Sequence, residues 1–186
     1  MNGATTREFD YGFGRIMKEL KKLEGKPHVK VGFQGAEGNK PHEDSRGSLT
    51  VAEVAVYNEF GTSDGRIPER PFMRSTYDTK RDEWTVLTDK FAADIYTGHK
   101  NVEQALDLLG HQIVKDIQAR IRSSPEWAVA NAESTYLRKL AKTATGIADV
   151  GSVKPLIDTG QMLNSVTYVK VMKGGDATIN EGVEVN

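Results

Sequence analysis

The 186-residue chain contains no cysteine. That absence removes disulfide frameworks, thiol nucleophiles and cysteine-built zinc sites, and it fits a reducing compartment. Long apolar runs are missing as well. No window reaches the roughly 18 consecutive apolar residues that a membrane-spanning helix needs. Met1 to Asp10 has neither the basic start nor the apolar run of a signal peptide. A soluble, non-secreted protein with no membrane contact is expected. Nor is there an excess of charge of one sign: 25 Lys and Arg stand against 26 Asp and Glu, a formal net charge of -1. Non-specific DNA binding relies on a basic field, so this balance argues against a freely diffusing DNA binder. It leaves open a DNA-facing surface built from several copies. Internal repeats and low-complexity tracts are also absent. What is present, 38% hydrophobic residues with 8% aromatics, fills one ordinary core.

The apolar pattern predicts mostly helix. Phe9, Phe13, Ile16, Leu20 and Leu23 form a seam that Gly25 and Pro27 end. The lysines beside that seam alternate with Glu19 and Glu24 and read as a solvated face. Val29, Val31 and Phe33 alternate as a short strand, and Gly35 to Ser48 reads as a long exposed loop, an arm for a partner to order. Thr50 and Glu53 have capping-box spacing and open a helix over about Val51 to Glu59, which Gly61 stops. Two longer helices follow, roughly Met73 to Tyr96 and then from Val102 to Ile121. Trp127 to Ala148 is read as partly helical and loosely packed. Val166 to Met172, a turn at Lys173 to Asp176, and Ala177 to Val185 suggest a β-hairpin whose last strand has no evident partner. The expected class is α+β: a small antiparallel or mixed sheet packed against two long helices. Residues 1–28 form an N-terminal amphipathic helix, 29–172 a core domain with the 35–48 arm, and 173–186 a C-terminal hairpin strand and tail.

Catalytic constellations are sparse. His28, His42, His99 and His111 are scattered, without the i, i+4 spacing of a helical metal pair. Glu43 and Asp44 are paired carboxylates on the arm, where acid catalysis would lack a preorganised pocket. Gly12-Phe13-Gly14 and Gly32-Phe33-Gln34-Gly35 lack the Lys-Ser or Lys-Thr of a phosphate loop. No G-x-S-x-G elbow occurs. Neither an enzyme nor a cofactor is expected.

Two segments are apolar and proline-bearing where a loop should be polar. One runs from Asn58-Glu59-Phe60-Gly61-Thr62 on to Ile67-Pro68-Glu69-Arg70-Pro71-Phe72-Met73; the other is Lys154-Pro155-Leu156-Ile157-Asp158-Thr159-Gly160-Gln161-Met162. Rigid apolar loops lose little entropy on docking, so each reads as loop anchoring onto the core or as a subunit interface. The interface candidates are Phe60, Gly61, Ile67, Arg70, Pro71, Phe72, Leu156, Ile157, Asp158, Thr159 and Gly160, with Phe72 and Ile67 as docking side chains that the fold itself does not need. Gly160 is expected to require a positive φ.

These segments carry a resemblance. The order A-x-Y-N-E-F-G-T, I-P-x-R-P-F-M-R and K-P-L-I-D-T-G-Q-M-L-N-S-V-T-Y, across about Val29 to Val171, resembles the virion morphogenesis, tail completion and minor tail Z-type proteins of long-tailed bacteriophages. The resemblance implies a structural virion protein, assembled in the host cytoplasm, that forms a ring, a hexamer, where the head connector meets the tail. Its partners would be copies of itself, other neck proteins such as the connector, terminator or tube, and the double-stranded DNA passing through the lumen. A tail terminator or head-closure ring of the same neck is the nearest alternative. Two readings from other classes remain: a module binding a host factor through the 35–48 arm, and a cation-dependent nuclease using Glu43 and Asp44. The charge-rich arm and the alanine-rich stretch before L-I-D-T-G depart from the family's pattern. Symmetry repeats every inward lysine or arginine, so a near-neutral chain still suits a charged channel. The arm, the N-terminal helix or both are expected to order only in the assembled particle.

Overall fold

Apolar residues recurring every three or four positions make most of this chain helical. The computed structural model describes residues 10–43, 49–146, 153–172 and 177–179. Their elements are α1 (Phe13–Leu23), β1 (His28–Gly32), α2 (Gly35–Asn39), α3 (Val51–Phe60), α4 (Phe72–Tyr96), α5 (Val102–Arg122), α6 (Ser124–Trp127), α7 (Glu133–Ala144), α8 (Gln161–Asn164), β2 (Thr167–Val171) and β3 (Ala177–Ile179). The class is α+β. Helix starts follow local chemistry: the Thr50 hydroxyl accepts the Glu53 amide while the Glu53 carboxylate accepts the Thr50 amide, and Asn101 and Gln104 repeat the arrangement at α5.

The sheet is antiparallel in the order β1-β2-β3, with His28 opposite Val171 and Gly32 opposite Thr167. Of the two long helices expected on the sheet, α5 is the one that covers it. Gly110 allows the close approach, since a Cβ there would stand 2.4 Å from Tyr168 Cδ2. The Tyr168 hydroxyl and the Lys170 ammonium both donate to Asp107 on α5, at 2.9 and 2.8 Å. Helix α4 packs chiefly along α5 instead. Between Arg81 and Lys90 only Trp84 and Leu87 are partly buried, a stripe wide enough for one neighbour. The core has two clusters, one around Val51, Phe72, Ile117 and Ile121, the other around Phe91, Ile95, Val102 and Leu106.

Two expectations change. The arm is not one loop: Gly35–Asn39 is helical, Pro41 bridges Thr50, and the His42 amide donates to Leu49 O at 2.8 Å, so its base is stapled. Residues 44–48, including Asp44, lie outside the described residues. Helix α1 needs no assembled particle for a seat, because Leu20 and Leu23 pack on the second cluster and Arg15 donates to Gly98 O at 2.6 Å. Only the later half of its seam is used; Phe13 is 68% exposed, and Phe9 lies outside the described residues. The hairpin pairing of β2 with β3 is as expected, its turn and residues 180–186 again being outside.

Docking of α1 has a pH signature. Glu19 accepts the Val102 amide at 3.0 Å and pairs with Lys22 at 3.0 Å. Burial pushes its carboxyl up, but the Val102 amide and Lys22 outweigh burial and hold it below the usual 4.5. A depressed pKa contributes stability above the unfolded value that is lost as pH falls through the folded one. Protection of the Val102 amide, measured against its intrinsic exchange rate, is therefore expected to fall as the pH drops through the lowered Glu19 value. In Glu19→Gln that protection should be low at neutral pH already. Unchanged protection in the variant would show that α1 is held without Glu19, by its leucines and Arg15.

Candidate functional site

The two proline-bearing segments fold against each other. Helix α3 stops at Gly61, whose φ of 70° leaves no room for a side chain: a Cβ would meet Ile67 O at 2.9 Å. The following loop closes on itself, with the Thr62 amide donating to Ile67 O at 3.0 Å and the Thr62 hydroxyl donating to Asp64 at 2.6 Å. That hydroxyl and the Arg66 amide hold the Asp64 carboxyl below its ordinary range. The loop then delivers Arg70, which is 6% exposed. Its Nε and Nη2 donate to Val129 O and Ala130 O at 2.8 and 3.1 Å, and Nη1 donates to Asn58 Oδ1 at 3.3 Å. Burial pushes this guanidinium down from its usual value.

Glu59 is buried too. Its carboxylate accepts the Met73 and Arg74 amides and Arg74 Nε at 2.9 to 3.0 Å, capping α4 from the previous helix. The Arg74 guanidinium also donates to Glu69 at 2.7 Å and lies 4.6 Å from the Phe60 ring centroid.

The second segment is held by α6 and α7. The Ser124 hydroxyl donates to Pro155 O at 2.5 Å. The Lys139 ammonium, on a nearly buried side chain, donates to Lys154 O at 3.1 Å and Ile157 O at 2.5 Å. Asp158 faces Lys142 at 3.5 Å and Arg138 at 3.8 Å. Gln161 ties in the arm: its Nε2 donates to Pro41 O at 2.9 Å and its Oε1 accepts the Glu43 amide at 3.0 Å.

A cleft of about 290 Å³ lies between the segments, lined by Asn58, Ile67 and Arg70 on one side, by Leu156, Asp158 and Gly160 on the other, and by Arg138 of α7. The hydrogen-bonding capacity of Arg70 and Lys139 goes largely into backbone carbonyls, which joins three stretches of chain into one platform. Among the described residues no group of three or more His, Asp or Glu is placed to hold a metal ion. The histidines stay apart: His28 contacts Lys26 O, His99 contacts Thr97, and His111 packs edge-on to Tyr168.

Of the interface candidates, three side chains are spent inside the chain. Phe72 is fully buried, Arg70 binds carbonyls, and Leu156 belongs to the first cluster, so none of them presents itself to a neighbour. Phe72 misleads because Pro71 suggests continuing loop, whereas α4 begins at Phe72 and turns that ring inward. Phe60, at 60% exposure, and Thr159 face outward; Ile67, Pro71, Ile157 and Asp158 are partly covered. Gly61 and Gly160 serve the backbone. Gly160 has φ 80°, so Gly160→Val is expected to cost about 1–2 kcal/mol. Thermal unfolding checks this, and an unchanged midpoint would mean that the turn relaxes into another conformation. Glu59 and Lys139 carry buried polar bonds that tie the site together and were not legible as such: one sits inside an apolar motif, the other in a weakly patterned stretch.

Comparison with protein-family models, with curated proteins and with solved structures finds no match to this chain.

Proposed function

We propose that this chain is a structural subunit of a bacteriophage neck, a ring-forming protein of the tail-completion kind that joins the tail to the DNA-filled head. One observation carries the reading: the N-E-F-G-T and I-P-x-R-P-F segments and the L-I-D-T-G segment, which bear the resemblance, line a single cleft and are tied by α7 and the Asn58–Arg70 bonds. Rigid apolar and charged rims of this kind suit a protein that acts by shape and by repeated weak contacts. Ile67 supplies apolar contact at the cleft and the exposed Phe60 a second apolar contact outside it, and copies arranged in a ring multiply the rim cations Arg66 and Arg138 toward DNA or a neighbouring protein.

The test is the mass of the purified chain by light scattering together with its copy number in intact particles. The proposal expects a monomer or small oligomer alone and a fixed number of copies, about six or twelve by ring symmetry, in each particle. Absence of the chain from particles overturns it.

A further inference from the structure

β1 is an edge strand. β2 pairs with one of its sides, and among the described residues no strand pairs with the other. Free edges are templates for another chain. Along this one Val29 and Val31 are partly buried while His28 and Lys30 are exposed; the Lys30 carbonyl accepts only the side-chain amide of Gln34, at 2.7 Å, among the side chains described, and its ammonium makes no ion pair among the described residues. Where the edge ends, an apolar groove of about 330 Å³ opens between Val31–Gln34 and α3, lined by Phe33, Val56, Phe60 and Met73.

We infer that residues 181–185 of a second copy close this edge as an added strand. The complement is in the sequence: Val29-Lys30-Val31 on the edge and Val183-Glu184-Val185 near the C-terminus. Set side by side in either direction, the two triplets place Glu184 beside Lys30 and the valines on the face of Val29 and Val31. The apolar groove continues the surface those valines extend. Same-chain closure fails on length. β3 lies beyond β2, with Ile179 opposite Val169 and Val169 opposite Lys30, so the vacant position outside β1 is three strand spacings away, about 14 Å. Only residues 180–183 separate Ile179 from Glu184, a reach of about 17 Å when fully straight; the straight path runs through β2 and β1 themselves, and the way around them is longer than that reach. The donor is therefore another copy. An edge on one copy filled by the tail of the next is a head-to-tail contact, the kind that generates rings. The inference rests on the reading that copies of this chain associate, and it specifies how they join.

The lack of native cysteine makes the test direct. Full-length Lys30→Cys and Glu184→Cys chains are mixed at high concentration and mildly oxidised. Paired strands bring the two Cα atoms to about 4.5–5.5 Å, within disulfide reach. The expected result is a mixed dimer several-fold above a control mixture of Lys115→Cys with Glu184→Cys, Lys115 being exposed on α5. Equal yields overturn the inference, as does internal closure to a monomer when Lys30→Cys and Glu184→Cys share one chain. If particles contain a fixed ring and the mixed dimer does not exceed its control, the strand proposal falls and the ring reading stands. If the dimer forms and the chain is absent from particles, the ring reading falls and the strand proposal stands.

Discussion

Phe72→Ala is expected to lower stability by about 3–5 kcal/mol. The ring is fully buried, meets Phe33 edge-on with centroids 6.0 Å apart, and packs among Val51, Ile117, Ile121 and Met162. Four elements converge there, so the cavity left behind has little scope to collapse. The backbone around it is fixed as well: the Thr76 hydroxyl donates to Phe72 O at 2.6 Å, and the ring cannot be replaced by a shift of α4 without breaking that first turn. For a chain of this size each kcal/mol moves the midpoint by about 2–4 °C, so a fall on the order of 10 °C is expected. Thermal and urea unfolding monitored by circular dichroism would measure it. Phe60→Ala, on an exposed ring, is expected to leave the midpoint within about 2 °C. Comparable losses in the two variants would mean that Phe60 is structural too; no loss in Phe72→Ala would remove this residue from the core.

The same residue shows how far the sequence could be read. Helix positions were legible because spacing and caps are local: Thr50 with Glu53, and the seam from Val102 to Ile121, specify α3 and α5 without reference to the rest of the chain. Which face of a helix turns inward was less legible. On α3 the buried residues are Val51, Ala55 and Glu59, a regular i, i+4, i+8 series. Following hydrophobicity rather than geometry led past Glu59 to Phe60, which faces out. The pairing of β1 with β2 joins segments from opposite ends of the chain, and nothing in either strand names the other. The cleft was legible as two segments but not as one site, because its ties are long side chains reaching backbone carbonyls, as Arg70 reaches Val129 and Lys139 reaches Ile157. Carbonyl acceptors leave no mark in a sequence.

Glu59→Ala is expected to cost about 2–4 kcal/mol. Glu59 is 5% exposed, and its two oxygens take the second and third amides of α4, a helix whose N-cap is Pro71 and which has no side-chain cap of its own. Those amides carry the positive end of the helix dipole, and without the carboxylate they are left buried and unpaired. The ion pair with Arg74 contributes less, since that guanidinium is 48% exposed and keeps Glu69 as a second partner. The hydrogen bonds to Glu59 and Glu69 nevertheless raise the Arg74 guanidinium above its usual value. The expected order of loss is Glu59→Ala, then Glu59→Gln, which keeps one acceptor oxygen but turns an amide N–H toward donors, then Arg74→Met. Urea unfolding of the three variants ranks them. If Arg74→Met cost as much as Glu59→Ala, the pair and not the cap would hold the junction. The junction matters to the cleft because Glu59 sits between Asn58 and the Arg70 loop: losing the cap frees the start of α4, and with it the Arg70 backbone that donates to Asn58 O at 2.8 Å. Glu59→Gln is therefore the variant in which a folded chain with a loosened rim is expected, and its weakened assembly at an unchanged copy of Phe60 and Ile67 would show that the rim works through its rigidity.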